Sequence, residues 1–397
     1  MRIAFYSDVF YPELSGITDS LLITGRALAR RGHSVLYVGP RYGTEDYAVI
    51  GTEPSKESEA TNGFPVVRMP SLHLPHSPTG QTRFTLPFGA PRAEIDAFDP
   101  DIIHTHGPYA VGLAALRAAK RLKVPLVGTN HTPIEEYFPA GKSLMRAYDA
   151  WYYNHCDFMT TPYAELIAHM QGAGFRRRAR ELPNPVELSL FRQPHAAEKT
   201  ELKRAMGLAG PTVLYVGNFY AGKNIDVTLE AVARLLPEFP TLTFVVVGRG
   251  EEEERLRILA NRLGIERSVR FTGFVPMKDL LPYYQAADLF AIMSTVDTQS
   301  IALMQAFASG LPAIGAKARG LPDFLPPTCG FLVEPGDAAE LAARMREIIL
   351  DIPLQERMGR AAVDYVRQFA PDTIAERWEE IYLLAKRGKK ESASLSS

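Results

Sequence analysis

Short apolar runs rich in β-branched and aromatic residues alternate along this chain with longer stretches whose apolar positions recur every three or four residues. The first pattern suits a buried strand and the second a helix laid on a sheet, so the alternation predicts a parallel sheet covered by helices. Residues 2–7 read as the first strand and 17–31 as its helix, stopped at Gly32 and His33, the latter a solvated turn residue. Residues 34–38, 66–69, 102–105 and 125–129 follow as further strands of a doubly wound sheet.

The pattern starts afresh at Pro211. Residues 212–217 read as a buried strand, a loop and a helix through Leu236 follow, and residues 242–248, 269–272, 289–292 and 312–315 continue the series as strands. Turn chemistry at Leu182-Pro183-Asn184-Pro185 and a polar helix near 198–206 separate the two series, which places a linker at 187–210. The expected organisation is a first domain over 1–190, a second over 191–371, a helix over 372–387 and a frayed polar tail over 388–397. That helix carries Ile374, Trp378, Ile381 and Tyr382 at helical spacing.

A length of 397 residues exceeds one ordinary hydrophobic core, in keeping with two domains. With 46% hydrophobic and 22% charged residues there is apolar material for both cores, and disorder is excluded. A formal charge of −1 provides no global field to recruit nucleic acid, so a basic site has to be a local patch. The first residues lack the basic start and apolar run of a signal peptide, and Cys156 and Cys329 lie far apart, so a reducing cytosol is the expected compartment. No apolar stretch approaches the roughly 20 residues of a spanning helix. Attachment to a membrane surface stays open.

Ligands of open α/β sheets sit beyond the carboxyl ends of the strands, so the loops there carry the candidate chemistry. After the first strand, Gly16 stands at the mouth of a helix, where backbone N–H groups can approach an anion; a loop needing positive φ explains it equally. His104 and His106, two apart in a strand, point to one side, and His131 follows another strand. Three histidines raise zinc, but no carboxylate or cysteine adjoins them at metal-ligand spacing. Hydrogen bonding to substrate is expected, and no metal is assigned. Asp99-Pro100-Asp101 has the acidic spacing of a metal clamp on a diphosphate, yet it precedes its strand at the far end of the sheet and reads as a turn.

In the second series, Gly217 and Asn218 open a loop that reaches Lys223, a cation suited to neutralising a diphosphate as its bond to sugar breaks. A solvated surface lysine is the plain alternative. After the strand at 289–292, a polar loop gives way to a helix whose N-terminus is expected at Thr298, Gln299, Ser300 and Ile301. Its unpaired N–H groups and partial positive charge suit a diphosphate. Asp297 is placed to hold sugar hydroxyls and Gln305 a ribose; an N-capping Asp297 and an exposed Gln305 are the alternatives.

Taken in order and spacing, Asp8-Val9-Phe10-Tyr11-Pro12 with Gly16, Arg31-Gly32-His33, Ile103-His104-Thr105-His106, Asn130-His131-Thr132, Pro183-Asn184, Val216-Gly217, Lys223-Asn224, Val247-Gly248, Gly273-Phe274-Val275 and the run from Ala306 to Pro312 form one constellation. It resembles the retaining glycosyltransferases of the GT-B fold, the large group that glycosylates lipids and polysaccharides, over nearly the whole chain. The resemblance implies an α/β architecture of two Rossmann-like doubly wound parallel-sheet domains facing a central cleft. Acceptor would bind the first, nucleotide diphosphate sugar the second, and the C-terminal helix would cross back to the first.

It also implies transfer without an enzyme nucleophile, metal or other cofactor. The diphosphate leaves on the face the acceptor attacks, and its oxygen helps to remove the acceptor proton. Lys223 would stabilise the leaving group, Asp297 and His131 hold donor sugar hydroxyls, Thr298, Gln299, Ser300 and Ile301 the diphosphate, and Gln305 the ribose. Gly217 and Asn218 would line the donor site, Gly273, Phe274 and Val275 hold the base, and Gly16 admit the phosphate. Two features depart from the pattern. The family's marker is a pair of glutamates separated by seven residues, where this chain has Asp297 and Gln305, and Asn218 stands in place of an arginine.

The Pro-rich stretch 70–87 and Glu135-Glu136-Tyr137 resemble the branch that makes glucosyl or mannosyl diacylglycerols. A lipid acceptor near His104, His106, Glu135 and Glu136, with UDP-glucose or a similar donor, is therefore expected. Arg176, Arg177, Arg178 and Arg180, with the stripe Met145, Tyr148, Trp151 and Tyr152, suit peripheral attachment to an anionic membrane at its cytoplasmic face. Core packing of the stripe and a solvated arginine loop are the alternatives. Rival readings are a catalytically silent nucleotide-sugar-binding relative, a transferase acting on a polysaccharide or small soluble acceptor, and a nicotinamide dehydrogenase. The last requires a Gly-x-Gly-x-x-Gly after the first strand followed by a ribose-binding acid, which this chain lacks.

Overall fold

The computed structural model describes residues 1–13, 15–74, 81–86, 92–132 and 141–394. Two units emerge, residues 1–185 with 371–397, and residues 186–370. The first runs through β1 (Arg2–Tyr6), α1 (Gly16–Arg30), β2 (Ser34–Pro40), α2 (Thr44–Val49), α3 (Glu57–Ala60), β3 (Val66–Met69), β4 (Ser71–His73), β5 (Arg83–Thr85), α4 (Arg92–Phe98), β6 (Ile102–Thr105), α5 (Ala110–Leu122), β7 (Leu126–Thr129), α6 (Lys142–Tyr153), β8 (Phe158–Thr161), α7 (Ala164–Gly172) and β9 (Ala179–Glu181). Its seven-stranded sheet is ordered β3-β2-β1-β6-β7-β8-β9, and every pairing is parallel. Strand order reverses between β1 and β6, which places a switch point there. β4 and β5 form a separate antiparallel pair in the Pro-rich region.

The second unit contains α8 (Ala196–Ala205), β10 (Thr212–Val216), α9 (Ile225–Leu235), β11 (Thr243–Val247), α10 (Glu253–Arg262), β12 (Val269–Gly273), α11 (Leu281–Ala286), β13 (Leu289–Ile292), α12 (Ile301–Ala308), β14 (Ala313–Ala316), α13 (Leu321–Phe324), β15 (Gly330–Val333), α14 (Ala338–Leu350) and α15 (Ile352–Val366). Its six parallel strands are ordered β12-β11-β10-β13-β14-β15, with the reversal between β10 and β13. Residues 187–210, expected as a linker, instead belong to this unit. Lys199 and Lys203 of α8 both reach the Asp288 carboxylate, which also accepts from the Thr212 N–H at 2.8 Å. Two lysines and a backbone amide on one carboxylate tie α8 to the start of β10 and β13.

The final helix, α16 (Pro371–Ser394), is part of the first unit. Ile374, Ala375, Trp378, Ile381, Tyr382 and Ala385 form its buried stripe, in one core with Ile3, Phe5, Val35, Tyr37 and Ile102. The spacing of three and four residues puts these side chains on one face. Ion pairs flank the stripe: Arg31 to Glu379 at 2.9 Å and to Glu376 at 3.1 Å, Arg30 to Asp372 at 2.9 Å, and Lys386 to Asp101 at 3.1 Å. The expected frayed tail from 388 is corrected, because the helix continues to Ser394 and Lys389 reaches Asp157 at 3.3 Å. His33 is corrected as well. Rather than facing solvent, its Nε2 meets Glu379 at 2.8 Å and its Nδ1 the N-terminal amine at 2.9 Å.

The acidic pair before β6 fastens the sheet edge. Asp101 accepts from the Arg2 N–H at 2.9 Å, and Asp99, at φ 47°, pairs with the Arg2 guanidinium at 2.8 Å. Among the described residues no helix is long and apolar enough to cross a membrane.

Candidate functional site

In the second unit, the loops leaving β10 and β13 meet at the switch point. Lys223 lies in a short 3-10 turn, Ala221–Lys223, and its Nζ stands 2.7 Å from Oδ1 and 2.8 Å from Oδ2 of Asp297. The Tyr220 ring lies 5.2 Å from the same ammonium. Burial pulls the lysine pKa down, but the Asp297 carboxylate and the Tyr220 hydroxyl together outweigh it, so the ammonium is held above the ordinary lysine value. It is therefore a firm cation.

Asn224 ties the two loops together. At φ 49° it caps α9, and its amide donates to the Met293 carbonyl at 3.0 Å and to Thr295 Oγ1 at 3.3 Å. Ser294 Oγ accepts from the Val296 and Asp297 N–H groups, turning the chain toward α12. Ser300 then caps that helix, its Oγ accepting from the Leu303 N–H at 3.2 Å. The expected start at 298–301 agrees with this, although the capping residue is Ser300 and Asp297 is given over to Lys223. Close backbone packing supports the loop: a Cβ on Gly320 would lie 1.6 Å from the Thr298 carbonyl oxygen.

Gln305 is buried rather than exposed, and its Oε1 accepts from the Tyr284 hydroxyl at 2.8 Å. Asn218 is exposed, with its carbonyl taking the Tyr215 hydroxyl at 3.0 Å. Gly217 and Gly248 approach so closely that a Cβ on Gly248 would fall 1.9 Å from the Gly217 carbonyl oxygen. Gly273 has φ 73°, which favours glycine, and the next residue, Phe274, lies under the Arg249 guanidinium at 5.4 Å. Tyr284 and Arg249 had no place in the sequence reading, and neither Asn224, quoted there beside Lys223, nor Ser294 of the polar loop was given a role of its own.

In the first unit, Gly16 opens α1 behind a cap formed by Ser15. Close to the carboxyl ends of β6 and β7 the three histidines do come together, but not on a common point. His104 Nδ1 meets the Tyr382 hydroxyl at 2.9 Å and its Nε2 the Thr129 hydroxyl at 2.7 Å, while His106 Nδ1 lies 3.0 Å from His131 Nε2. The acceptor role expected for His104 and His106 is corrected: His104 is 0% exposed with both nitrogens engaged inside, and His106 Nε2 is sealed from solvent. His131 retains 8% exposure. Burial lowers the pKa of all three, that of His131 to about 4, so they are neutral at physiological pH. Glu135 and Glu136 lie outside the described residues.

Arg176, Arg177, Arg178 and Arg180 are exposed. Arg176 donates to the Gln171 carbonyl at 3.0 Å, Arg177 to the Asn154 carbonyl at 2.9 Å, and Arg180 pairs with Glu380 at 3.1 Å. On α6 the aromatic stripe divides. Trp151 is 46% exposed and the neighbouring Leu144 69%, whereas Tyr152 is wholly buried with its hydroxyl donating to the Gly112 carbonyl. Tyr152 is thereby corrected from the membrane-facing stripe to the core.

Two parallel-sheet Rossmann-like units, each with a switch point in its strand order, define the GT-B fold. Comparison with known proteins gives the family. The profile described as glycosyl transferases group 1 matches residues 199–364, and that described as glycosyltransferase family 4 matches residues 14–190. The chain belongs to the group 1 glycosyltransferases. It is 28% identical to an alpha-monoglucosyldiacylglycerol synthase of Streptococcus pneumoniae over 326 residues, 79% of this chain and 70% of that one. It is 25% identical to a GDP-mannose-dependent alpha-mannosyltransferase of Corynebacterium glutamicum over 388 residues, 92% of this chain and 85% of that one. The fold matches that of Anabaena HepE, solved in complex with UDP-glucose, with a TM-score of 0.75 at 21% identity over 96% of this chain and 99% of that one.

Proposed function

We propose that this glycosyltransferase moves a hexose, with retention of anomeric configuration, from UDP-glucose or a similar donor to a membrane glycolipid precursor such as diacylglycerol. The observation that carries the reading is the Lys223–Asp297 pair beside the capped N-terminus of α12. Bond cleavage leaves growing negative charge on the diphosphate, and a preorganised ammonium with nearby helix amides stabilises that charge more than it stabilises the bound donor. When the diphosphate arrives, Lys223 exchanges the Asp297 carboxylate for phosphate oxygen, which frees Asp297 to accept from a sugar hydroxyl. His131 holds another sugar hydroxyl, Gln305 the ribose, and the backbone of Thr298, Gln299, Ser300 and Ile301 the diphosphate. The leaving oxygen takes the acceptor proton, so neither a protein nucleophile nor a metal takes part.

The lipid acceptor is supported by the similarity to a monoglucosyldiacylglycerol synthase. The exposed Leu144 and Trp151, with Arg176 and Arg177 bonded near the ends of α6 and α7, support a peripheral membrane contact. Incubation with labelled UDP-glucose or GDP-mannose and either diacylglycerol vesicles or soluble glucan tests the reading. Transfer to the lipid with an α-linked product is expected; transfer to glucan alone would replace the acceptor. A second reading, a silent nucleotide-sugar-binding relative, is favoured by one observation: Lys223 and Gln305 are both engaged within the protein, by Asp297 and Tyr284. Donor binding without hydrolysis or transfer to any acceptor would establish it.

A further inference from the structure

Among the described residues, His106 is the one member of the histidine cluster with a ring nitrogen both sealed from water and lacking a partner. Its Nδ1 lies 3.0 Å from His131 Nε2, and its Nε2 makes no hydrogen bond to any described residue. The ring is 4.1 Å from that of His104 and 5.6 Å from that of Phe5, so its surroundings are aromatic. A bond between two neutral imidazoles needs one donor and one acceptor, which leaves two arrangements. In one, His131 donates from Nε2 and the His106 proton sits on the sealed Nε2, burying an N–H with no acceptor. In the other, His106 donates from Nδ1, its sealed nitrogen is bare, and the His131 proton must sit on Nδ1. Among backbone groups of folded proteins an orphaned buried N–H is rarer than an under-satisfied acceptor, and the same preference applied to the ring selects the second arrangement.

We propose that His106 is a positioning residue that fixes the His131 proton on Nδ1, making that N–H the ring's one donor. Only the tautomer is set; His106 touches no substrate. Resting on the reading of His131 as a contact to the donor sugar, this gives the contact a direction: His131 donates, and the sugar oxygen accepts. An imidazole free to carry its proton on either nitrogen would spend part of its population offering the sugar a lone pair in place of an N–H. A group such as His106 behind the ring removes that population before the donor binds.

Long-range ¹H–¹⁵N correlation on the full chain labelled at histidine tests this at neutral pH. The expected spectrum has a protonated Nδ1 and a bare Nε2 for His131. In His106→Phe, which removes the donor, both His131 nitrogens should move to intermediate shifts, and kcat/KM should fall about tenfold, the size of one neutral hydrogen bond. His106→Asn, whose side-chain amide can donate in place of Nδ1, should recover most of that loss and also guards against misfolding of the Phe variant. A parent His131 protonated on Nε2, or a His106→Phe variant with the parent tautomer and kcat/KM, would overturn the proposal. If the tautomer is as stated but His131→Ala transfers sugar as well as the parent, the assignment of His131 to the sugar falls instead.

Discussion

Lys223 and Asp297, 74 residues apart in sequence, meet in a two-oxygen ion pair with Nζ 2.7 Å from Oδ1 and 2.8 Å from Oδ2. The lysine therefore has a resident anion in the absence of donor, and catalysis requires that anion to yield to phosphate. Lys223→Ala is expected to lower kcat by about 10²–10³-fold, the usual worth of one donor aimed at developing charge. The far-ultraviolet circular dichroism should be unchanged. Turnover equal to the parent would remove Lys223 from the reaction.

The same pair sets a pH dependence. Because Asp297, with Tyr220, holds the folded Lys223 pKa above the ordinary lysine value against the pull of burial, the pair's contribution is fully present below the unfolded lysine value and is lost as pH rises through the folded one. Asp297→Asn should thus lower stability at pH 8 by roughly 1–3 kcal/mol, read from urea unfolding. The gap between parent and variant should shrink only above the ordinary lysine range. A constant gap across that range would mean the lysine is not the group concerned.

How far the sequence announces all this follows from which signals are local. β1, β10, β11 and β13 are buried on both faces, so Ile3-Ala4-Phe5-Tyr6 and Phe244-Val245-Val246-Val247 read as apolar runs without any knowledge of the fold. β8 and β9 carry Thr160, Thr161, Arg180 and Glu181 and give no such run, and β15 begins on Gly330. Lys223 and Asp297 are legible as candidates because each follows a strand; that they bind one another is a tertiary fact. His104 and His106 share a side, as their spacing requires, yet Tyr382 arrives from 278 residues away to occupy His104. Nothing local reports that.

The C-terminal helix offers a stability test of packing against surface charge. Trp378, 4% exposed within the first unit's core, should cost about 3–5 kcal/mol when replaced by Ala. Arg30→Ala, which removes a solvent-exposed pair with Asp372, should cost less than about 1 kcal/mol. Calorimetry of the first unit's transition in the full chain distinguishes them. Equal losses would mean that the apolar stripe is not what holds α16.

Acid acts on the first unit in two directions. Buried His104, His106 and His131 have lowered pKa values, so their contribution is lost as pH falls below about 6.5, where the unfolded histidines take up protons and the folded ones do not. Asp8 and Asp19, pushed up to about 6 by burial, work the other way and favour the folded state as pH falls. Comparing parent with His106→Asn cancels the aspartate terms. Between pH 6.5 and 5 the parent should lose stability more steeply, by up to about 1.4 kcal/mol per pH unit; parallel urea midpoints would show that His106 is already protonated in the fold.

A crystal structure of the chain with bound UDP or GDP bears most directly on the assignment of the donor site. The expected result puts the distal phosphate within hydrogen-bond reach of Lys223 Nζ and of the amides that open α12, with the lysine moved off Asp297. A nucleotide bound away from the β10 and β13 loops, or bound while Lys223 keeps both Asp297 oxygens, would contradict it.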